Sequence, residues 1–279
     1  MLSHPFDFYA PTRVDDALLL LQQRAADDVK VLAGGMSLMP VMNLGLARPS
    51  ALVSLNHIAE LAYVRRADDG LRIGATTRHQ QLASDPLVAT HCPPLAVAAG
   101  MIGDVQVRNR GSIGGSLAHA DPSADYLTVL LAVAASITLA SSKGTRTVPA
   151  GDFFVGMMET QLEPDELIVE IAIPNSSDPG GSAYLRLARL EGAFSIVNAA
   201  AVFAGQDGSV AVGGATPAPV SFNVTVPPGQ EQRGAEEAAS LAIRLCDTSE
   251  PGEPDYRVAM AGVYARRAVA AALARRSSP

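Results

Sequence analysis

The chain has 279 residues, enough for one large domain or for two or three compact lobes. Its 28 acidic and 21 basic side chains leave a formal charge of -7, which opposes nonspecific attraction to nucleic acid or to an anionic membrane. Hydrophobic residues at 48% and charged residues at 18% fit a globular chain, while two cysteines supply neither a disulfide scaffold nor the four ligands of an iron–sulfur cluster.

The opening MLSHPFDFYAPTRVDD lacks the basic flank and apolar run of a secretory signal, and no later stretch has the length and purity of a membrane span. The cytoplasm is the expected location. Ala17, Leu18, Leu21 and Ala25 recur on one face and predict a helix over 15–25, with Asp15 or Asp16 in its first turn. A short apolar strand, Val29–Leu32, runs into Gly34-Gly35. A partly helical segment at 38–46, with Pro40 near its start, and a strand at Ala51–Leu55 complete a small α/β unit.

From Ile58 the pattern changes. Leu61–Arg65 and Leu71–Ile73 read as hairpin strands around Asp68-Asp69-Gly70. Residues 75–82 lead to a turn at Asp85-Pro86, and 95–100 has a helical pattern. The apolar run YLTVLLAVAASITLA has the length of a helix plus a strand, predicted at 124–133 and 136–140. Lys143-Gly144 turns the chain toward Arg146–Pro149, and a β-rich stretch at 167–173 stops at Pro174. The composition of Asn175–Gly181, NSSDPGG, suits an exposed join. Beyond it, 182–190 and 196–203 suggest antiparallel strands or a strand and a helix, and helices at 235–245 and 256–273 flank TSEPGEP. The expected division is 1–57, 58–174, a linker at 175–181, and 182–279, with the first two lobes sharing one ligand.

Two segments carry chemistry. The first is Ala33-Gly34-Gly35-Met36-Ser37-Leu38, directly after a strand: paired glycines permit a sharp turn and close approach, and consecutive N–H groups can form a nest for phosphate oxygens. An ordinary strand-ending turn is the alternative. The second is the glycine-rich loop at 111–116, within Asn109-Arg110-Gly111-Ser112-Ile113-Gly114-Gly115-Ser116, followed by Ala120-Asp121-Pro122-Ser123-Ala124-Asp125. Ser112 and Ser116 offer hydroxyls there. Asp125 is a candidate acceptor for sugar hydroxyls, or else a cap for the helix that follows. Two such segments favour a diphosphate-containing ligand. Neither follows the strand–GxGxxG–helix order of a dinucleotide site or contains the GxxxxGK[ST] of a Walker loop.

The phrases VLAGGMSLMPVM, IGDVQVRNRGSIGGSLAHADPSAD, FFVGMMETQLEPDELIVEIAIP and YRVAMAGVYARRAV resemble, in that order, the flavoprotein medium subunits of the xanthine dehydrogenase and carbon monoxide dehydrogenase family. The resemblance runs from Phe8 to the terminal helix. It implies an α+β architecture: a PCMH-type FAD-binding fold of two lobes plus a C-terminal α+β domain with an antiparallel sheet and helices. By the same resemblance, Ala33, Gly34, Gly35, Met36, Ser37 and Leu38, with Ser112, Gly115 and Ser116, surround the FAD diphosphate, and Asp125 meets the ribityl part. Ile168 and Tyr184 fall beside the isoalloxazine ring. Arg186 stands where the family often has Lys, and Ala193 where it often has Asp, which leaves flavin tuning and the electron acceptor open.

The resemblance further implies partners. A small subunit would carry two [2Fe-2S] clusters and a large one the molybdopterin-type molybdenum cofactor and the substrate pocket, with two copies of each of the three subunits. Electrons would pass from molybdenum through the clusters to FAD and then to an external acceptor, through which the protein can also meet the inner face of the membrane. No acid–base catalyst is assigned in this chain, and no nucleic-acid partner. His57, His91 and His119 lack a metal-ligand spacing, so no metal is expected here. His79, in GATTRHQQL, is either structural or close to the flavin side. Ser37, Ser112 and Ser116 lie in no GxSxG elbow. The rival readings are a stand-alone PCMH-type FAD oxidase or dehydrogenase and a noncatalytic flavin-binding assembly protein.

Overall fold

The computed structural model describes residues 4–25, 27–175, 181–246 and 254–276. The expected linker at 175–181 and the TSEPGEP segment therefore lie almost wholly outside the described residues. The N-terminal part comprises β1 (Asp7–Tyr9), α1 (Val14–Gln23), β2 (Val29–Leu32), α2 (Leu38–Asn43) and β3 (Ala51–Ser54). The strands form a parallel sheet in the order β1-β3-β2, and α1 supplies the crossover that parallel strands require. Its buried Ala17, Leu18 and Leu21 share a core with Val53, Leu55 and Ile58. Pro40 is tolerated in the first turn of α2, where backbone N–H groups have no intrahelical partner.

The central part runs through β4 (Val64–Ala67), β5 (Gly70–Gly74), α3 (His79–Ser84), α4 (Pro86–His91), α5 (Pro93–Met101), α6 (Val105–Arg110), α7 (Ile113–His119) and α8 (Asp125–Ala132). It continues with β6 (Ser136–Ser141), β7 (Gly144–Pro149), α9 (Ala150–Phe153), β8 (Phe154–Gly156), β9 (Glu159–Thr160) and β10 (Leu167–Pro174). Two hairpins meet on β10 in an antiparallel sheet of order β4-β5-β10-β6-β7. The predicted strand at 61–65 begins only at Val64, because Leu61 closes a short 3-10 turn. Asp85-Pro86 is a helix-to-helix junction: the Asp85 carboxylate accepts from the amides of Leu87 (2.9 Å) and Val88 (3.4 Å), with proline first in α4. The apolar run splits into α8 and β6, reversed through Ala134 at φ 51°.

The C-terminal part is a meander of β11 (Ser182–Ala188), β12 (Ser195–Ala204), β13 (Asp207–Gly213) and β14 (Val220–Thr225), followed by α10 (Glu231–Cys246) and α11 (Pro254–Arg276). Alternation decides which way each strand residue points. Ala199, Ala201, Val210 and Val212 pack with Ala261, Ala265 and Val269 of α11. Ala200 and Ala211 face the central core, with Tyr126, Val129 and Leu130 of α8. Every residue of α8 is buried, since it is enclosed between the central core and the C-terminal sheet. Small alanines allow the close layers. Arg257 fastens α11 to the meander by donating to the carbonyls of Ile196 (3.1 Å) and Gly214 (2.6 Å). Among the described residues no helix is long and apolar enough to cross a membrane.

Candidate functional site

The two glycine segments touch. Gly34 is buried, and a β-carbon there would overlap the Arg110 carbonyl oxygen and reach within 2.8 Å of Gly111 Cα. This close approach demands glycine. Gly35 has φ 78°, the left-handed turn that carries β2 into α2. Among the described hydrogen bonds, the amides of Gly34, Gly35, Met36 and Ser37 have no partner, so consecutive donors remain available at the head of α2.

The second segment corrects the expectation of a loop at 111–116. Gly111 closes α6, whereas Gly114 and Gly115 enter α7, which Ser112 caps by accepting from the Gly115 amide at 3.3 Å. Ile113 and Gly114 give their amides to the carbonyls of Thr77 (3.1 Å) and Ala75 (2.8 Å), and a β-carbon on Gly114 would lie 2.7 Å from Ala75. These groups hold the segment in place and are spent. Gly115 is different: a β-carbon there would meet Ser112 Oγ at 3.0 Å and Ala33 Cβ at 3.6 Å. Free donors therefore come from the first segment. The second contributes a wall of close-approach backbone, with Ser112 capping α7 and Ser116 in its first turns.

Arg78 ties the lobes together under this cleft. It donates to the Arg110 carbonyl and to Asn56 Oδ1 at 2.7 Å, just after β3. His79 follows. It begins α3, 5% exposed, with Nδ1 sharing a hydrogen bond of 3.0 Å with the Tyr126 hydroxyl. Burial first, then the charges of Arg78 and Arg108, lower its pKa to about 4.

Asp125, Tyr184 and Arg186 converge with Ser195, a residue that no motif singles out. Asp125 is the first residue of α8; Ala124 holds the cap position, so the capping alternative does not apply. The Asp125 carboxylate accepts from the Tyr184 hydroxyl, from Ser195 Oγ at 2.7 Å and from Arg186 at 3.2 Å. Its oxygens are thus largely engaged by the protein. Burial, and then the adjacent Asp125 charge, raise the Tyr184 phenol well above its ordinary pKa. One turn along α8, Thr128 donates to Asn198 Oδ1, while Asn198 Nδ2 is buried with no partner among the described residues. Ile168 is buried in the central core, beside a bulge in β10.

The residues present fit an extended diphosphate ligand: adjacent amides with no partner among the described hydrogen bonds, two serines and a wall without side chains lie beside one another. Residues 4–176 match the family described as FAD binding domain in molybdopterin dehydrogenase. The chain belongs to that family. The carbon monoxide dehydrogenase medium chain of Hydrogenophaga pseudoflava is 37% identical, with 99% of each chain covered. The nicotine 6-hydroxylase medium subunit of Paenarthrobacter nicotinovorans is 38% identical over 75% of this chain and 74% of that one. A solved structure of the Hydrogenophaga pseudoflava carbon monoxide dehydrogenase that lacks the Mo-pyranopterin moiety of its cofactor superimposes with a TM-score of 0.91 at 37% identity, covering 99% of both chains. The fold is accordingly PCMH-type, and the chain is an FAD-binding flavoprotein component of a molybdenum-dependent oxidoreductase.

Proposed function

We propose that this chain is the relay subunit of a three-component molybdenum hydroxylase, taking electrons from [2Fe-2S] clusters on a small partner and delivering them to an external acceptor. The observation that carries the reading is the contact of Gly34 with Arg110 and Gly111, which brings free amides and serine hydroxyls to one cleft. Bound FAD supplies the capacity to accept electrons in pairs and release them singly or together.

Around it, Ala33, Gly34, Gly35, Met36, Ser37 and Leu38 hold the diphosphate with Ser112, Gly115 and Ser116. Asp125 lies at the ribityl end, with Ile168, Tyr184 and Arg186 toward the ring. Arg186 and Asp125 hold a fixed, paired charge there, and Tyr184 is held in its neutral form. The described cysteines, Cys92 and Cys246, are buried and far apart in sequence, which supports a cluster-bearing partner. A large partner carries the molybdenum cofactor, and two copies of each subunit assemble in the cytoplasm. Similar medium chains occur in proteins named for carbon monoxide and for nicotine, which supports placing substrate choice on the molybdenum partner.

Native purification followed by visible spectroscopy, metal analysis and subunit masses tests this. Flavin, molybdenum and iron should travel with two companion chains. A protein that purifies alone and takes electrons rapidly from an organic compound would establish the stand-alone oxidoreductase instead.

A further inference from the structure

His79 is a buried titratable group that joins three parts of the structure beneath the glycine segments. Its backbone amide donates to the Gly111 carbonyl at 3.1 Å. Its ring lies flush on Gly111, where an added β-carbon would overlap Nε2 and come within 2.6 Å of Cδ2. Nδ1 meets the hydroxyl of Tyr126, a wholly buried residue of α8, and the two rings pack edge to face with centroids 5.2 Å apart. The imidazole thus fills the space between α3, α8 and the junction where α6 passes into α7.

That junction sets the cleft. The Arg110 carbonyl immediately before Gly111 is the atom that abuts Gly34, and Ser112 immediately after it caps α7. Moving the Gly111 backbone by a few tenths of an ångström displaces both contacts together. The free amides of the first segment would then face a wall at a different distance.

We propose that His79, clamped by Tyr126, is the positioning residue for the second glycine segment, and that it fixes the width of the phosphate cleft by supporting Gly111 from beneath. The inference rests on the flavin reading of that cleft. Among the described residues, the ionisable groups facing the imidazole are Tyr126, Arg78 and Arg108. No carboxylate partner is among them, and burial with the two arginines keeps the ring uncharged near neutral pH, so the clamp is a hydrogen bond between neutral groups. Arg78, the residue preceding His79, adds a second tie by donating to the neighbouring Arg110 carbonyl.

The test is titration of the full chain, stripped of flavin, with FAD at neutral pH. His79→Leu keeps bulk but loses the hydrogen bond, and should weaken FAD binding about tenfold; Tyr126→Phe should weaken it about threefold. His79→Asn, which restores a polar atom near the Nδ1 position, should recover most of the affinity. Gly111→Ala should weaken binding, and adding His79→Ala should partly restore it by vacating the space that the methyl needs. Folded His79→Leu and Tyr126→Phe proteins that bind FAD as tightly as the unaltered chain would overturn the inference and leave the flavin reading intact. If His79→Leu does not fold, Tyr126→Phe and the Gly111 pair decide the matter. Failure of the unaltered chain to bind FAD would instead overturn the flavin reading on which the proposal rests.

Discussion

Asp125 and Arg186 form an ion pair of 3.2 Å in which the side chains are 6% and 8% exposed, joining the first residue of α8 to the first strand of the C-terminal sheet. Tyr184 and Ser195 donate to the same carboxylate, so both sides of the seam depend on one acidic group. Removing one member of a buried pair strands the other's charge, at a cost of about 3–5 kcal/mol. Asp125→Ala should lower unfolding stability by that amount in urea titration. A double change to Asp125→Leu and Arg186→Leu should cost less than Asp125→Ala alone, because no unpaired ion remains.

The close approach at Gly34 makes a separate prediction. A methyl group there must push back the Arg110–Gly111 backbone, and overpacking of this kind costs about 2 kcal/mol. Gly34→Ala should therefore lower both thermal stability and flavin content. Gly35→Val should lower flavin content and also destabilise the fold, because a β-branched residue is strained at φ 78°. Gly115→Val should lower flavin content with less effect on the rest of the molecule, and circular dichroism with flavin absorbance can separate the two.

Stability should also depend on pH through His79. Its pKa falls from 6.5 in the unfolded chain to about 4 in the folded one, so the unfolded state binds more protons between those values. The stability this provides is fully present above pH 6.5 and is lost progressively as pH falls toward 4. The size is roughly 3 kcal/mol. Urea unfolding at a series of pH values should show this slope, and His79→Asn should remove its share of it.

Thr128 and Asn198 form a smaller contact in the same seam. Thr128→Val removes the donor to Asn198 Oδ1, leaving an amide with neither of its polar ends satisfied in a residue that is fully buried. A loss of about 1–3 kcal/mol is expected in thermal or urea unfolding. A threonine-to-valine change at the exposed Thr145 serves as the control.

Much of the cleft was legible in the sequence because its signals are local. An apolar strand running into Gly34-Gly35 announces a tight exit, and the run from Tyr126 to Ala140 announces a buried helix followed by a strand. Other elements carried no such signal. β1 has three residues with Phe8 exposed, and β13 mixes Gly, Ser and Val without clean alternation of polarity. The helical form of Gly114-Gly115-Ser116 runs against the low helix propensity of glycine. It is imposed by the Ser112 cap and by packing on Ala75, which is distant in sequence. The partners of Asp125 were similarly hidden: Tyr184 and Arg186 were picked out by resemblance, whereas Ser195 reaches the carboxylate only through the register of β12 on β11.

The complete enclosure of α8 bears on how the chain acquires its structure during synthesis. Residues through β10 leave the ribosome before the meander that covers one side of this helix, and domains tend to fold as they emerge. Until β12 and β13 arrive, the nascent protein displays an uncovered greasy surface around Val129 and Leu130. A polypeptide truncated after residue 175 should consequently need chaperone protection, although it contains nearly all of the segment that the family has in common.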